Sequence, residues 1–187
     1  MSAIALVATV MLAGCGYNTI QRYDEQAAQA QHDIEVQLQR RSDLIGNLVN
    51  TVKGQANQEL AVFTDVARAR AGLDSAIQTH DAEKMANANV ALSAQVAILN
   101  RSVTEAYPQL KSDQAFLRLQ DELSGTENRI AVARSDYNGA VEQYNAYIRQ
   151  FPQVLTAKVV GAKSRTYFTA TGAAQEAPKV EFSKPGT

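Results

Sequence analysis

A proline-free stretch from Tyr17 to Tyr107 constrains this chain more than any other feature of its sequence. Over that stretch apolar residues recur at spacings of three and four, which is the pattern of an amphipathic helix. The intervening positions are mostly polar or charged, so the opposite face of each helix is solvated. The stripe comprises Ile20, Tyr23, Ala27, Ala30, Ile34, Leu38, Ile45, Leu48, Val52, Ala56, Leu60, Phe63, Val66, Leu73 and Ile77. The sequence therefore predicts an all-α fold built from long helices.

Capping residues and prolines divide the rest of the chain. Asp81 follows a break in the apolar pattern and is a suitable N-cap for a helix that Pro108 ends, because the residue before a proline avoids the α region. Ser112 or Asp113 then caps a last long helix, which Pro152 closes. After Pro152 no helical period is visible, so we expect an extended tail over residues 153–187.

The segment RRSDLIGN, residues 40–47, leaves two topologies open. Leu38, Ile45 and Val52 keep one heptad phase through it, which favours one long helix kinked at Gly46. Helix length favours a reversal, because an unbroken helix over 18–78 would measure about 90 Å against about 58 Å for the last helix. We prefer the reversal, near residues 42–47. The prediction is an antiparallel up-and-down four-helix bundle over 18–152 with coiled-coil-like packing.

The amino-terminal segment carries no charged side chain before Arg22. Ala3–Ala13 forms an apolar run of eleven residues, which suits the core of a secretory signal and is shorter than the roughly 20 residues of a membrane span. Leu12-Ala13-Gly14-Cys15 follows, and it resembles the bacterial lipobox. Because Cys15 is the only cysteine, it is a natural acylation site. We predict a signal peptide over 1–14 and a lipidated N-terminus over 15–17.

The alternative to a lipoprotein signal is an uncleaved single-pass transmembrane anchor extending to about residue 20, since a span needs about 20 residues. The lack of lysine or arginine in residues 1–10 is atypical of a signal peptide. Either anchor holds the chain on a membrane of the bacterial envelope, with the bundle outside the cytoplasm. In a Gram-negative cell, Gly16 rather than aspartate after the cysteine would permit delivery to the outer membrane.

Composition argues against several classes of function. The 18 basic and 19 acidic residues nearly cancel, and the pI of about 6.1 does not suit a nucleic-acid-binding protein. One cysteine and two histidines, His32 and His80, are too few for a cysteine-rich or histidine-rich metal site. No glycine-rich phosphate loop and no nucleophilic serine elbow occurs. We therefore predict a protein that is not an enzyme, with no catalytic residues, no cofactor and no metal.

The stretch QLQRRSDLIGNLVNTVKG, residues 37–54, resembles the hallmark motif of the LemA family of bacterial membrane-associated proteins. Shorter matching segments extend the resemblance over about residues 17–182, among them YPQLK at 107–111, TENRI at 126–130 and the pairs Tyr137-Asn138 and Tyr144-Asn145. The family motif usually has proline where this chain has Gly46, and most members carry a plain transmembrane helix. The resemblance implies an antiparallel four-helix bundle and implies no particular reaction.

Charged and polar residues cluster in two of these motifs, and they are the candidate site. We interpret them as a polar network between helices that fixes helix register, or as a partner-binding face; they are Arg40, Arg41, Asp43, Glu127, Asn128, Arg129 and Arg134. The main functional hypothesis is a membrane-anchored scaffold or adaptor that binds another envelope protein. The alternative is a binding protein or weak enzyme with an anion pocket lined by Arg40, Arg41, Glu127 and Arg129, since arginine suits anionic ligands.

Overall fold

The computed structural model describes residues 2–55 and 61–170, with side chains for 16–54 and 61–170. The described chain forms five α-helices: α1 (Ser2–Gln55), α2 (Ala61–Gln78), α3 (Ala82–Ala106), α4 (Gln114–Tyr147) and α5 (Gln153–Val159). A 3-10 helix, Pro108–Ser112, connects α3 to α4. The described ranges contain no strand, so the prediction of an all-α fold is confirmed. Among the residues whose side chains the structure describes, no helix is long and apolar enough to cross a membrane.

Helix α1 runs unbroken through residues 42–47, so the preferred reversal there is wrong. Leu38, Ile45 and Val52 are all fully buried, as their shared heptad phase requires of one continuous helix. The argument from length failed because α1, about 81 Å long, has different partners along its two halves. Helices α2 and α3 pack along its carboxyl half, α5 packs on it at Gly16 and Ile20, and α4 contacts both halves through pairs such as Tyr23 with Tyr147 and Arg41 with Glu127.

Helix α1 ends at Gln55 and α2 begins at Ala61, and Ala56 and Leu60 of the predicted stripe lie outside the described residues. Helix α2 then runs antiparallel to α1, because its first turns lie near residue 53 and its last residues near residue 31. Lys53 stacks over the Phe63 ring, and the Gln31 side chain donates to the His80 carbonyl at 2.7 Å. Helix α4 is antiparallel to α1 as well, since Arg41 contacts Glu127 and Tyr23 contacts Tyr147.

Two predicted caps begin the later helices. The Asp81 carboxylate accepts from the backbone N–H groups of Glu83 and Lys84, each at 3.0 Å, and so satisfies two unpaired donors at the start of α3. The Asp113 carboxylate accepts from Phe116 N–H at 2.8 Å at the start of α4. The helix before Pro108 ends at Ala106, as predicted.

The core is continuous along α1 and changes its partners near residue 27. The main cluster joins α1 to α2, α3 and α4 and includes Leu38, Leu73, Leu92 and Val141. A smaller cluster lies nearer the amino terminus of α1 and consists of Ile20, Tyr144, Ile148 and Ala157. Heptad spacing places Tyr137 and Tyr144 on one face of α4, and both are buried.

The segment after Pro152 differs from the predicted extended tail. Residues 153–159 form α5, whose seven residues are too few to display a helical period in the sequence and whose Ala157 packs on the small cluster. Gly161 follows with φ of +69°, a conformation that favours glycine. Residues 163–170, here called the strap, have no regular secondary structure and lie against α4. The rest of the predicted tail, including Val180 and Phe182, lies outside the described residues.

Candidate functional site

Arg41 is the central residue of the candidate site, and helix phase explains its burial. It follows Leu38 by three residues and precedes Ile45 by four, so it lies on the buried face of α1. Only 3% of the residue is exposed. A guanidinium group in that position has to find hydrogen-bond acceptors on the facing helices, because burial removes water from it.

Two helices supply those acceptors. Arg41 Nη1 donates to Asn89 Oδ1 at 2.6 Å, and Nη2 donates to Ser93 Oγ at 3.0 Å, both on α3. Nη2 also donates to Glu127 Oε1 on α4 at 2.6 Å, which forms an ion pair. Among the described side chains Arg41 Nε has no acceptor. One residue thus links α1, α3 and α4 at a single level of the bundle.

Burial and charge act on this arginine in opposite directions. Desolvation lowers the pKa of the Arg41 guanidinium, and the Glu127 carboxylate raises it. Desolvation is the larger effect, but arginine titrates far above neutral pH and stays charged in proteins. The side chain of Glu127 is 58% exposed against 4% for Arg41, so the acidic partner keeps much of its water. The site is therefore a buried cation with a counterion at the surface.

A second polar cluster lies beside Arg41 and joins α1 to α2. Ser42, which is fully buried, donates its hydroxyl to Asp74 at 2.7 Å and accepts from Arg70 Nε at 3.3 Å. A Cβ at Gly46 would lie only 2.7 Å from Arg70 Nη1, so glycine there leaves room for the guanidinium. Sequence reasoning missed this cluster, since neither Asp74 nor Arg70 belongs to a recognised motif.

The other predicted site residues are dispersed over the surface. Arg40 lies 3.9 Å from Glu122 in an exposed ion pair, and Asp43 accepts from Gln39 on its own helix at 3.3 Å. These two and Arg41 lie inside the continuous helix α1, in its last third, and not at the predicted corner. Arg129 donates to Gln37 at 3.2 Å. Asn128 and Arg134 are exposed on α4, and neither is a partner of Arg41.

An anion pocket lined by Arg40, Arg41, Glu127 and Arg129 does not match this geometry. Arg41 directs both terminal nitrogens to protein side chains, and its one donor without an acceptor among the described side chains, Nε, is buried where a ligand in solution does not reach it. Arg129 instead lines a groove of about 380 Å³ between α1 and α4. The groove, here called the α1–α4 groove, is lined by Ala30, Asp33, Gln37, Asn128, Arg129, Val132, Ala133 and Asp136. Its two carboxylates against one guanidinium disfavour an anionic ligand.

Asn138 and Asn145 hold the strap against α4. In the sequence they were noted only as members of matching Tyr-Asn pairs, with no role assigned. Asn145 accepts from the Arg165 N–H and donates to the Arg165 carbonyl, both at 2.9 Å. Asn138 accepts from the Phe168 N–H at 2.8 Å and donates to the Phe168 carbonyl at 3.4 Å. Each side-chain amide thus pairs with both backbone groups of one residue, as a neighbouring β-strand would.

The seven-residue spacing of the Tyr-Asn pairs matches the strap in length. Seven helical residues rise about 10.5 Å, and three residues of extended chain span about 10 Å, so Asn145 and Asn138 align with Arg165 and Phe168. The adjoining tyrosine adds a bond, because Tyr137 donates its hydroxyl to the Thr166 carbonyl at 2.7 Å. The heptad repeat of Tyr-Asn was the signal available in the sequence.

Further contacts anchor the strap to α1 and to the core. Arg165 Nε donates to Asp24 at 2.7 Å, and this hydrogen bond raises the pKa of Arg165 above its ordinary value. Phe168 is buried in the main core cluster. The strap is therefore an integral part of the fold.

The predicted lipidation site and the prediction concerning metal do not involve the residues of these clusters. The backbone of residues 2–15 belongs to α1, and the side chain of Cys15 lies outside the described residues. Within the described part of the chain, no group of three or more histidine, cysteine, aspartate or glutamate residues could hold a metal ion.

Comparisons with known proteins agree with the resemblance noted in the sequence. The model of the LemA family matches residues 30–182. Two curated relatives from Paramagnetospirillum magneticum, magnetosome proteins MamQ 1 and MamQ 2, are each 27% identical over 190 aligned positions. These alignments cover 90% of this chain and 69% of the relative. Magnetosome protein MamQ of Magnetospirillum gryphiswaldense is 26% identical, over 90% of this chain and 70% of that protein.

Proposed function

The chain belongs to the LemA family, and we propose that it is a membrane-anchored, non-catalytic helical bundle that serves other envelope membrane proteins as a scaffold or adaptor. The continuity of α1 is the observation that supports this proposal most strongly. One helix, Ser2–Gln55, includes the apolar residues 3–13 and then forms the axis of the bundle. An anchor built into that helix holds the bundle at a set orientation to the membrane, which is what a scaffold requires.

The proposal holds for either form of anchor. Cleavage before Cys15 would leave α1 starting at an acylated residue, and several acyl chains give stable attachment where one chain is marginal. An uncleaved segment would leave the same helix entering the bilayer. In both cases the described helices extend from the membrane into an aqueous compartment outside the cytoplasm.

The Arg41 cluster supports a structural role. Its acceptors lie on two other helices, so a shift of α1 against α3 or α4 would break charge-assisted bonds that are stronger than neutral ones. A buried polar cluster of this kind favours one helix register over others, as single buried polar residues do in coiled coils. We infer that it keeps the bundle in one arrangement while partners bind to the outer surface.

The α1–α4 groove is the face we propose for the partner. Ala30 and Ala133 are small residues of its lining, while Val132 is 61% exposed. Asp33 and Asp136 add negative charge at this groove. Small residues permit close approach of a helix, and exposed valine supplies apolar area. The groove suits an amphipathic helix of an envelope protein with an apolar anchor residue and basic neighbours.

Site-specific photocrosslinking in intact envelopes tests the adaptor proposal. A photoreactive amino acid at Val132 is expected to give a discrete adduct with one envelope protein, because Val132 lies in the groove. The matched control is Ile98, a half-exposed apolar residue on α3. Loss of the adduct in Asp33→Lys and Asp136→Lys variants would support charge recognition. Identical adducts at both positions, or none at Val132, would contradict the proposed face.

A further inference from the structure

A stripe of exposed apolar side chains runs along α5 and the turn before it. Phe151, Leu155 and Val159 are 81%, 55% and 86% exposed. Their four-residue spacing places Leu155 and Val159 on one face of the helix, opposite the buried Ala157. Exposed apolar residues normally occur singly on soluble proteins, whereas these three side chains form a contiguous row. This α5 stripe needs an apolar environment that the rest of the described chain does not supply.

The position of α5 indicates which environment that is. Thr156 packs on Gly16, since its Oγ1 lies 3.4 Å from where a Cβ on that glycine would be. Ala157 packs on Ile20 in the small cluster. Helix α5 therefore packs on α1 at the level of Gly16, which is one residue after Cys15 and three residues after Ala13, the end of the apolar run. Either anchor would bring α5 to the level of the membrane surface.

Charge is distributed unevenly and favours the same surface. The sequence segments 1–23 and 143–170 contain none of the 19 acidic residues, and their described residues meet at this end of the bundle, where Ile20 packs on Tyr144 and Ala157. They contain five of the 18 basic ones: Arg22, Arg149, Lys158, Lys163 and Arg165. Arg165 is paired with Asp24, and the other four are exposed. Basic residues beside an anchor are attracted to anionic lipid headgroups.

We infer that α5 is a second membrane contact, in which the α5 stripe enters the interfacial region of an anionic bilayer and Lys158 and Lys163 face its headgroups. Helices with an apolar face and a basic flank bind in this way, with the apolar face about 5–10 Å into the headgroup boundary. The inference rests on the proposed anchoring of the chain. It adds that the bundle is held against the bilayer at two points, which limits its tilt.

Tryptophan fluorescence in reconstituted full-length chain tests this inference, because the natural sequence has no tryptophan. The probe is Val159→Trp, in vesicles of phosphatidylcholine and phosphatidylglycerol that contain brominated acyl chains. We expect a blue shift and a loss of most emission by bromine quenching. Leu155→Trp is expected to behave alike. The control is Val132→Trp on α4. This position lies level with Asp33, about 25 Å farther along the α1 axis than Gly16, and the indole there is expected to keep its emission.

Charge reversal provides a second arm. The double variant Lys158→Glu, Lys163→Glu in the Val159→Trp background is expected to reduce bromine quenching in anionic vesicles. Lys111→Glu, an exposed change in the 3-10 helix at the opposite end of the bundle, is expected to leave it unchanged. Equal bromine quenching in the Val159→Trp chain, in its double lysine variant and in its Lys111→Glu variant would overturn the role of the basic residues.

Flotation of the vesicles separates this inference from the proposed function. If the chain does not float with the vesicles, the anchor proposal fails and the inference fails with it. If the Val159→Trp chain floats but its indole is quenched by aqueous iodide and not by brominated lipid, the α5 stripe faces water and only the inference is overturned. Protection from both quenchers, with crosslinks between copies of the chain, would assign the stripe to a protein contact and also overturn it.

Discussion

At the scale of single residues, Arg41 and Glu127 form an ion pair whose two members are unequal. The arginine is buried and the glutamate is largely hydrated. Removing the glutamate leaves a charge in the interior without its counterion, whereas removing the arginine leaves a carboxylate that water can solvate. Removing the hydrated partner of a buried ion pair therefore costs more stability than removing the buried one, because it leaves the buried charge uncompensated.

We expect Glu127→Ala to destabilise the bundle more than Arg41→Met does. Glu127→Ala is expected to lower the free energy of unfolding by about 3 kcal/mol, the lower end for breaking a buried pair, since water already screens Glu127. Arg41→Met replaces the buried charge by an apolar chain of similar length, and we expect a loss of about 1 kcal/mol because Asn89 Oδ1 loses its donor, while the Ser93 hydroxyl keeps its bond to the Asn89 carbonyl. Denaturant unfolding of the detergent-solubilised chain measures both.

The exposed pair Arg40–Glu122 is the matched control. Its atoms are 3.9 Å apart and both side chains are about half exposed, so Glu122→Ala is expected to cost less than about 1 kcal/mol. An equal loss for Glu122→Ala and Glu127→Ala would show that burial of Arg41 does not set the cost.

At the scale of structural elements, the strap shows how an irregular segment can be fixed to a helix by side-chain hydrogen bonds. It has no ladder of its own, so side chains of α4 have to satisfy its backbone groups. Asn138 and Asn145 do so for Phe168 and Arg165, one asparagine for each residue.

Asn138→Ala is expected to release one end of the strap while leaving the other in place. The variant loses the two bonds to Phe168, worth about 1 kcal/mol each, so exchange of the Phe168 amide is expected to rise about 30-fold, the factor that corresponds to about 2 kcal/mol. The Arg165 amide, held by Asn145, is expected to change little. Amide hydrogen exchange measures both sites. Asn128→Ala, an exposed asparagine on the same helix, serves as the control, and unchanged exchange at Phe168 would refute the assigned role of Asn138.

At the scale of the whole molecule, attachment to the membrane depends on one atom if the lipoprotein prediction is right. Cys15→Ser removes the sulfur that would carry the lipid. The variant is expected to remain an unprocessed precursor or to move to the soluble fraction, as cell fractionation and the mass of the amino terminus would show. Gly14→Ala keeps a small residue beside the cut and is expected to be processed normally. A Cys15→Ser chain that is still processed and still membrane-bound would disprove lipidation.

Much of this molecule could be predicted locally, and the errors were about where helices meet. The apolar stripes predicted the helices, and Asp81 predicted a cap that forms. The heptad phase of Leu38, Ile45 and Val52 predicted the continuous α1, but the comparison of helix lengths overrode it. That comparison assumed one partner along the whole helix, whereas α5 and the strap contact α1 over residues 16–24.

The candidate site was predictable in residue type but not in role. Seven polar residues were selected from motifs, and burial separates Arg41 from the other six. Burial depends on which face of α1 meets α3 and α4. Asn89 and Ser93, which complete the cluster, lie on α3, where no matching motif was found in the sequence.

The sequence by itself determined the helical class, the starts of α3 and α4 and the polarised charge of the chain, because helix periodicity, capping and charge are properties of neighbouring residues. Tertiary structure alone decided that Arg41 has a counterion at the surface, that two asparagines hold the strap and that α5 leaves three apolar side chains exposed beside residue 16. Those outcomes depend on surfaces contributed by residues up to 141 positions apart in the chain, as in the bond between Asp24 and Arg165. The local sequence pattern around one residue does not identify a partner that is so distant in the chain.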